Sequence, residues 1–126
     1  MNFKPTEYNS VSPYFIVNDA QRLIDLLVNL FDAELLRRYD HANGKIMHTE
    51  VKIDDSVIML ADASDQWPAV TCIMHVYVPR VDEVYQKAIS LGCTEVQAPK
   101  QQEGDPDRRG TFKDFAGNLW SVSTQL

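Results

Sequence analysis

The sequence predicts an α+β fold built from two copies of a βαβββ module, and three observations carry that expectation. A pattern recurs 61 residues further along the chain: Tyr14-Phe15-Ile16-Val17 is answered by His75-Val76-Tyr77-Val78, and Leu23, Val28, Leu30 and Glu34 by Val84, Ile89, Leu91 and Glu95. Each copy opens on a short β-like run followed at once by an amphipathic helical stretch. Each helical stretch is followed by short apolar segments punctuated by turn residues.

The first strand covers 14–17. The helix after it covers 19–30, with Ala20, Leu23, Ile24, Leu27, Leu30 and Phe31 at the spacing of one buried stripe and Asp19 placed as its cap. Strands at 35–39 and 46–53 flank a loop holding Asn43-Gly44, a strong hairpin signal, and Asp54-Asp55 separates the latter from a strand at 56–61. The second copy opens with the strand at 75–78. Its helix, 80–91, turns Val81, Val84, Tyr85, Ala88 and Leu91 inward, carries Asp82 and Glu83 in its first turn and stops at Gly92. A strand at 94–98, a polar loop over 100–109, and strands at 110–113 and 118–124 around an Ala116-Gly117 turn complete the order. One domain over 1–126 is expected, with module one at about 8–63 and module two at about 70–126.

Composition narrows the classes of function. With 126 residues, 44% of them hydrophobic and 24% charged, the chain has the make-up of an ordinary folded domain with one core. Its apolar runs fall short of the roughly 18 residues a membrane span needs, and residues 1–10 lack the pattern of a secretory signal. A cytoplasmic location is therefore expected, with Cys72 and Cys93 as core thiols rather than a disulfide. Eighteen acidic against 12 basic residues give a net charge of -6, opposite to the footprint of a nucleic-acid binder. Neither nucleic acid nor membrane is expected as a partner.

Four stretches carry a more specific signal: Val11-Ser12-Pro13-Tyr14, Met47-His48-Thr49-Glu50, Met74-His75-Val76-Tyr77-Val78 and Lys113-Asp114-Phe115-Ala116-Gly117-Asn118-Leu119-Trp120. With them the chain resembles the vicinal oxygen chelate superfamily of glyoxalase I, bleomycin resistance proteins and extradiol dioxygenases. Within it, the resemblance is to small bacterial glyoxalase-like proteins often labelled 3-demethylubiquinone methyltransferase-like. The resemblance implies that paired βαβββ modules curl into an incomplete eight-stranded barrel, in a homodimer. It also implies four concave-face positions that hold a divalent metal in catalytic members, here Ser12, Met59, Ile73 and Ser121. Hydroxyl, thioether and alkyl groups are poor ligands for such an ion, so no metal and no other cofactor is expected. Fold alone does not choose among isomerisation, ring cleavage, epoxide opening and drug sequestration, and whether the chain is an enzyme stays open.

Period-two alternation assigns the remaining side chains to faces. His48, Glu50 and Lys52 should face the concave side, with Met47, Thr49, Val51 and Ile53 against the helices; Ile73, His75 and Tyr77 should likewise face inward, with Cys72, Met74, Val76 and Val78 behind them. The expected ligand-binding set is Tyr14, His48, Glu50, His75, Tyr77, Ser121 and Arg109, a mixture of aromatic walls and polar groups suited to a small molecule. Ser123 shares that face, and Trp120 should pack under a helix. Within the set, His48, Glu50 and His75 are either hydrogen-bonded cavity residues or a metal or acid–base cluster of a lyase, isomerase or dioxygenase. Trp67, between the modules, is either a lid or a cover for the barrel end, and His41 an exposed loop residue. In the 103–110 loop, Arg108 and Arg109 are alternative candidates for an anion clamp, against a reading in which the loop is a solvated turn with local Asp–Arg pairing.

Overall fold

The computed structural model describes residues 2–126 and has the elements β1 (Tyr14–Val17), α1 (Ala20–Phe31), β2 (Glu34–Asp40), β3 (Ile46–Ile53), β4 (Ser56–Asp62), β5 (Ile73–Tyr77), α2 (Val81–Ser90), β6 (Thr94–Gln101), β7 (Asp107–Lys113) and β8 (Leu119–Gln125). They form two compact units, one ending at Val70 and the other covering Thr71–Leu126. Each unit is one βαβββ module with one open four-stranded sheet, in the order β1-β4-β3-β2 in the first and β5-β8-β7-β6 in the second. In both, the opening strand pairs in parallel with the last strand and all other pairings are antiparallel.

In the first unit α1 buries Ala20, Leu23, Ile24, Leu27 and Leu30, the stripe its spacing requires, and packs on β3 and β4. Asp19 caps it from a left-handed backbone conformation, accepting a hydrogen bond from the Arg22 amide. A second carboxylate holds the helix to the sheet: Asp62, at the end of β4, accepts from the Ala20 amide at 2.8 Å and from the Ile46 amide at 2.7 Å. Phe15, Val17, Val51, Val57 and Leu60 complete this core.

In the second unit Val81, Tyr85 and Ala88 of α2 face Phe112, Trp120 and Val122. The turn from β7 to β8 is organised by Asp114, a buried carboxylate that accepts from the amides of Ala116 and Asn118, from the Asn118 side chain and from Trp120 Nε1. Gly117 sits in that turn with φ +88°, a conformation that favours glycine.

Two expectations need correction. The polar loop over 100–109 is much shorter, because β6 runs through Gln101 and β7 starts at Asp107, leaving 102–106 between them. Pro99 did not stop the strand because β6 is an edge strand, where a missing N–H costs little, and the pairing skips from Gln97 to Lys100 around it. Met47 does not cover the helices. The register of β2 with β3 passes from Tyr39 opposite His48 to Asp40 opposite Ile46, so Met47 is the extra residue of a bulge and is left 48% exposed. Of the two cysteines, Cys93 is buried as expected and Cys72 only half-buried.

Candidate functional site

In the first unit, alternation along β3 turns His48 and Glu50 away from α1, opposite to the buried Thr49 and Val51. Cross-strand register then decides their neighbours: Glu50 lies between Met59 of β4 and Arg37 of β2, Met59 is beside Tyr14 of β1, and Tyr39 is opposite His48. Tyr8, Glu50, His48 and Tyr14 form a continuous chain of hydrogen bonds. The Tyr8 hydroxyl donates to Glu50 Oε1, His48 Nε2 is 2.7 Å from Glu50 Oε2, and His48 Nδ1 is 2.9 Å from the Tyr14 hydroxyl. Tyr39 stacks on the imidazole at 6.4 Å between ring centroids, and the Arg37 guanidinium lies 5.4 Å from the Tyr8 ring centre and 3.8 Å from Glu50.

Glu50 is 4% exposed. Burial pushes its pKa up, but the hydrogen bonds from His48 and Tyr8 and the charges of His48 and Arg37 outweigh that, so the carboxyl lies below its ordinary range and is ionised. Burial, and the nearby negative charge of Glu50, push the Tyr14 hydroxyl above the ordinary tyrosine value; Tyr8 is raised by burial and by its bond to Glu50. Both phenols keep their protons.

Tyr14 also lines a cavity of about 940 Å³ in the same unit, walled by Ile16, Met47, Ala61 and Trp67 and rimmed by His41 and Asp65. Trp67 is 62% exposed beside this cavity, and the expected loop residue His41 is exposed but belongs to the lining. A recess of about 900 Å³ around Asn18, Asn43 and Lys45 shares His41, Asp62, Ser64 and Asp65 with it.

In the second unit, β5, β8 and β7 set His75 beside Ser121 and Thr111, and Tyr77 beside Ser123 and Arg109. His75 Nε2 is 2.9 Å from the buried Ser123 hydroxyl, to which Arg109 also donates at 3.2 Å. The Ser121 and Thr111 hydroxyls are 3.1 Å apart. Tyr77 donates to Asp107 at 2.7 Å, which raises the Tyr77 pKa, and its ring meets His75 edge-on at 4.7 Å. The choice between the two arginines is made by alternation along β7. Arg108 points to the helix side, forking onto Asp82 of α2 at 2.9 and 3.0 Å, whereas Arg109 shares the face of Tyr77 and pairs locally with Asp105 at 3.5 Å and Asp107 at 3.6 Å. Trp120 is fully buried on the opposite face.

The sequence-expected set therefore divides by unit: Tyr14, His48 and Glu50 are joined in the first, and His75, Tyr77, Ser121 and Arg109 gather in the second. Sequence reasoning missed Tyr8, Met47 and the cavity-lining role of His41. At the four positions where the fold family places metal ligands, the donors are a thioether at Met59, an alkyl group at Ile73 and two hydroxyls; Ser12 Oγ is buried without a hydrogen-bond partner, and Ser121 Oγ is held by Thr111. That donor set does not fit a Lewis-acid metal. Among the described residues, no three His, Cys, Asp or Glu side chains are grouped to hold an ion, and no helix is long and apolar enough to cross a membrane.

The family model of the Glyoxalase/Bleomycin resistance protein/Dioxygenase superfamily matches residues 9–122. The chain is 32% identical to the uncharacterized protein Mb0911c of Mycobacterium bovis, over 90% of this chain and 81% of that protein. Its structure is similar to TioX from Micromonospora sp. ML1, with a TM-score of 0.75 and 24% identity over 94% of this chain and 99% of the other. It is also similar to TnmS3, an antibiotic binding protein from Streptomyces sp. CB03234, with a TM-score of 0.71 and 18% identity over 100% and 99%. At these identities the two structures speak for the fold alone.

Proposed function

The chain belongs to the Glyoxalase/Bleomycin resistance protein/Dioxygenase superfamily, and from that premise we propose that it is a metal-independent binding protein for a small drug or metabolite. The observation that carries this reading is the cavity of about 940 Å³ walled by Tyr14, Ile16, Met47 and Trp67, with the Tyr14 hydroxyl bonded to His48 and, through it, to Glu50. An apolar-walled recess with a few oriented polar groups is the usual form of a small-molecule site. The name of TnmS3 supports the same class of activity. In the second unit, taken by itself, we propose His75, Tyr77, Ser121 and Arg109 as ligand-contacting residues, and we expect the protein to act in the cytoplasm as a homodimer.

A metal-dependent lyase, isomerase or dioxygenase working through His48, Glu50 and His75 is the rival. It has less support, because both ring nitrogens of His48 are within hydrogen-bond distance of Glu50 and Tyr14, and His75 Nε2 is within reach of Ser123. The test exploits the two tryptophans. Trp67 is exposed at the cavity and Trp120 is buried in the other unit, so a panel of aromatic antibiotics titrated against the protein should change the Trp67 emission. Bound compounds should raise the melting temperature, by an amount corresponding to about 2.7 kcal/mol at a hundredfold excess over Kd. Trp67→Phe should abolish the emission change while keeping the fold; no response from any compound overturns the reading.

A further inference from the structure

With His48 neutral, the hydrogen-bond chain from Tyr8 to Tyr14 has one consistent direction. A carboxylate only accepts, so with Glu50 ionised both the Tyr8 O–H and a His48 Nε2–H donate to it. In the neutral imidazole the other nitrogen, Nδ1, then carries a bare lone pair, and the Tyr14 hydroxyl at 2.9 Å must donate to it. A phenol has one proton. Once it is committed to His48, the Tyr14 oxygen has only lone pairs to offer a ligand in the cavity that the residue lines.

We propose that Tyr14 is the specificity-determining hydrogen-bond acceptor of this cavity, and that it selects ligands carrying an O–H or N–H donor on an apolar body over analogues in which that hydrogen is replaced by methyl. This deepens the binding reading above and rests on it. The walls around Tyr14 fit the apolar body: Ile16, Met47, Ala61 and Trp67. The rim holds a further acceptor beside groups that can also donate, His41, Ser64 and Gln66. Asp65 adds an exposed carboxylate, an acceptor, while Asp62 already has both oxygens occupied by the Ala20 and Ile46 amides. Glu50 acts here as a positioning residue, since its charge fixes which nitrogen of His48 holds the proton and hence which way Tyr14 points its own.

The test compares 2-naphthol with 2-methoxynaphthalene, which share an aromatic body and differ in the donor, by equilibrium dialysis at about pH 8, where imidazoles are ordinarily neutral. The native protein should bind the naphthol about tenfold more tightly, because the methyl ether covers the oxygen of Tyr14, a residue 41% exposed in the free protein, without pairing it. Tyr14→Phe should bind both equally, with the affinity for the ether retained. Glu50→Gln, whose amide can donate to His48 and so release the Nδ1–H tautomer, should shrink the preference although Tyr14 remains. Equal binding of the two probes by the native protein, or a preference that survives Tyr14→Phe, overturns the inference and leaves the binding reading standing. Binding of neither probe overturns both.

Discussion

Glu50 is a carboxylate at 4% exposure, and its partners His48, Tyr8 and Arg37 come from β3, the segment before β1, and β2. Because its folded-state pKa lies below the ordinary 4.5, the stabilisation it contributes is full above the unfolded carboxyl range and is lost as pH falls through the lower folded value. Denaturant titrations repeated from about pH 7 down to about pH 3 should show this loss, and Glu50→Gln should flatten that acid limb. The same substitution should cost about 1–3 kcal/mol at neutral pH, since a neutral amide replaces a buried charge-assisted acceptor. An acid limb unchanged in Glu50→Gln would show that the group does not carry the dependence. Much of this cluster could be read from alternation alone, which put His48 and Glu50 on one face. Tyr8 could not, because the segment before β1 has no periodicity, and its role appears only when the chain brings it over β3.

At the scale of elements, the legible features were those with a local physical cause. The α1 stripe, the Asp19 cap and the Asn43-Gly44 turn depend on near neighbours in sequence, and all three stand where the residues placed them. The bulge at Met47 and the passage of β6 through Pro99 depend on what the partner strand does, which no single segment encodes. The arginine pair was ambiguous for the same reason until the register of β7 was known. Close approach of elements is equally non-local. A Cβ on Gly110 of β7 would lie 3.0 Å from Pro99 Cγ of β6 and from Tyr85 Cδ2 of α2. Gly110→Ala should therefore cost about 1–3 kcal/mol by overpacking, measured as a lowered denaturation midpoint at unchanged slope. Asp62 ties α1 to β3 through two amides, and Asp62→Ala should cost a similar amount, about 1–3 kcal/mol, by leaving those donors unpaired. A midpoint equal to that of the native protein in either variant would mean the neighbours relax without loss.

For the molecule as a whole, duplication supplies two equivalent scaffolds that have diverged in chemistry. The first unit presents an aromatic cavity wired through Tyr14 to a buried carboxylate, whereas the second presents a polar face in which His75, Ser123 and Arg109 are mutually engaged. The repeat and its pattern were visible in the sequence because burial demands the same periodicities in both copies. The cavity was legible only in part: Tyr14 and Trp67 were singled out, but His41 and Asp65 reach it from irregular segments. The ancestral metal positions give this divergence its consequence: a thioether, an alkyl group and two hydroxyls cannot together hold a catalytic divalent ion, so stability and ligand binding should be indifferent to metal. Protein purified without tag or chelator should contain only substoichiometric transition metal by elemental analysis. Its melting temperature, and its affinity for whichever compound shifts the Trp67 emission, should be the same before and after dialysis against EDTA. One transition metal retained per chain, or binding that is lost with EDTA and restored by zinc, iron or manganese, would transfer the weight of the argument to His48, Glu50 and His75 as ligands.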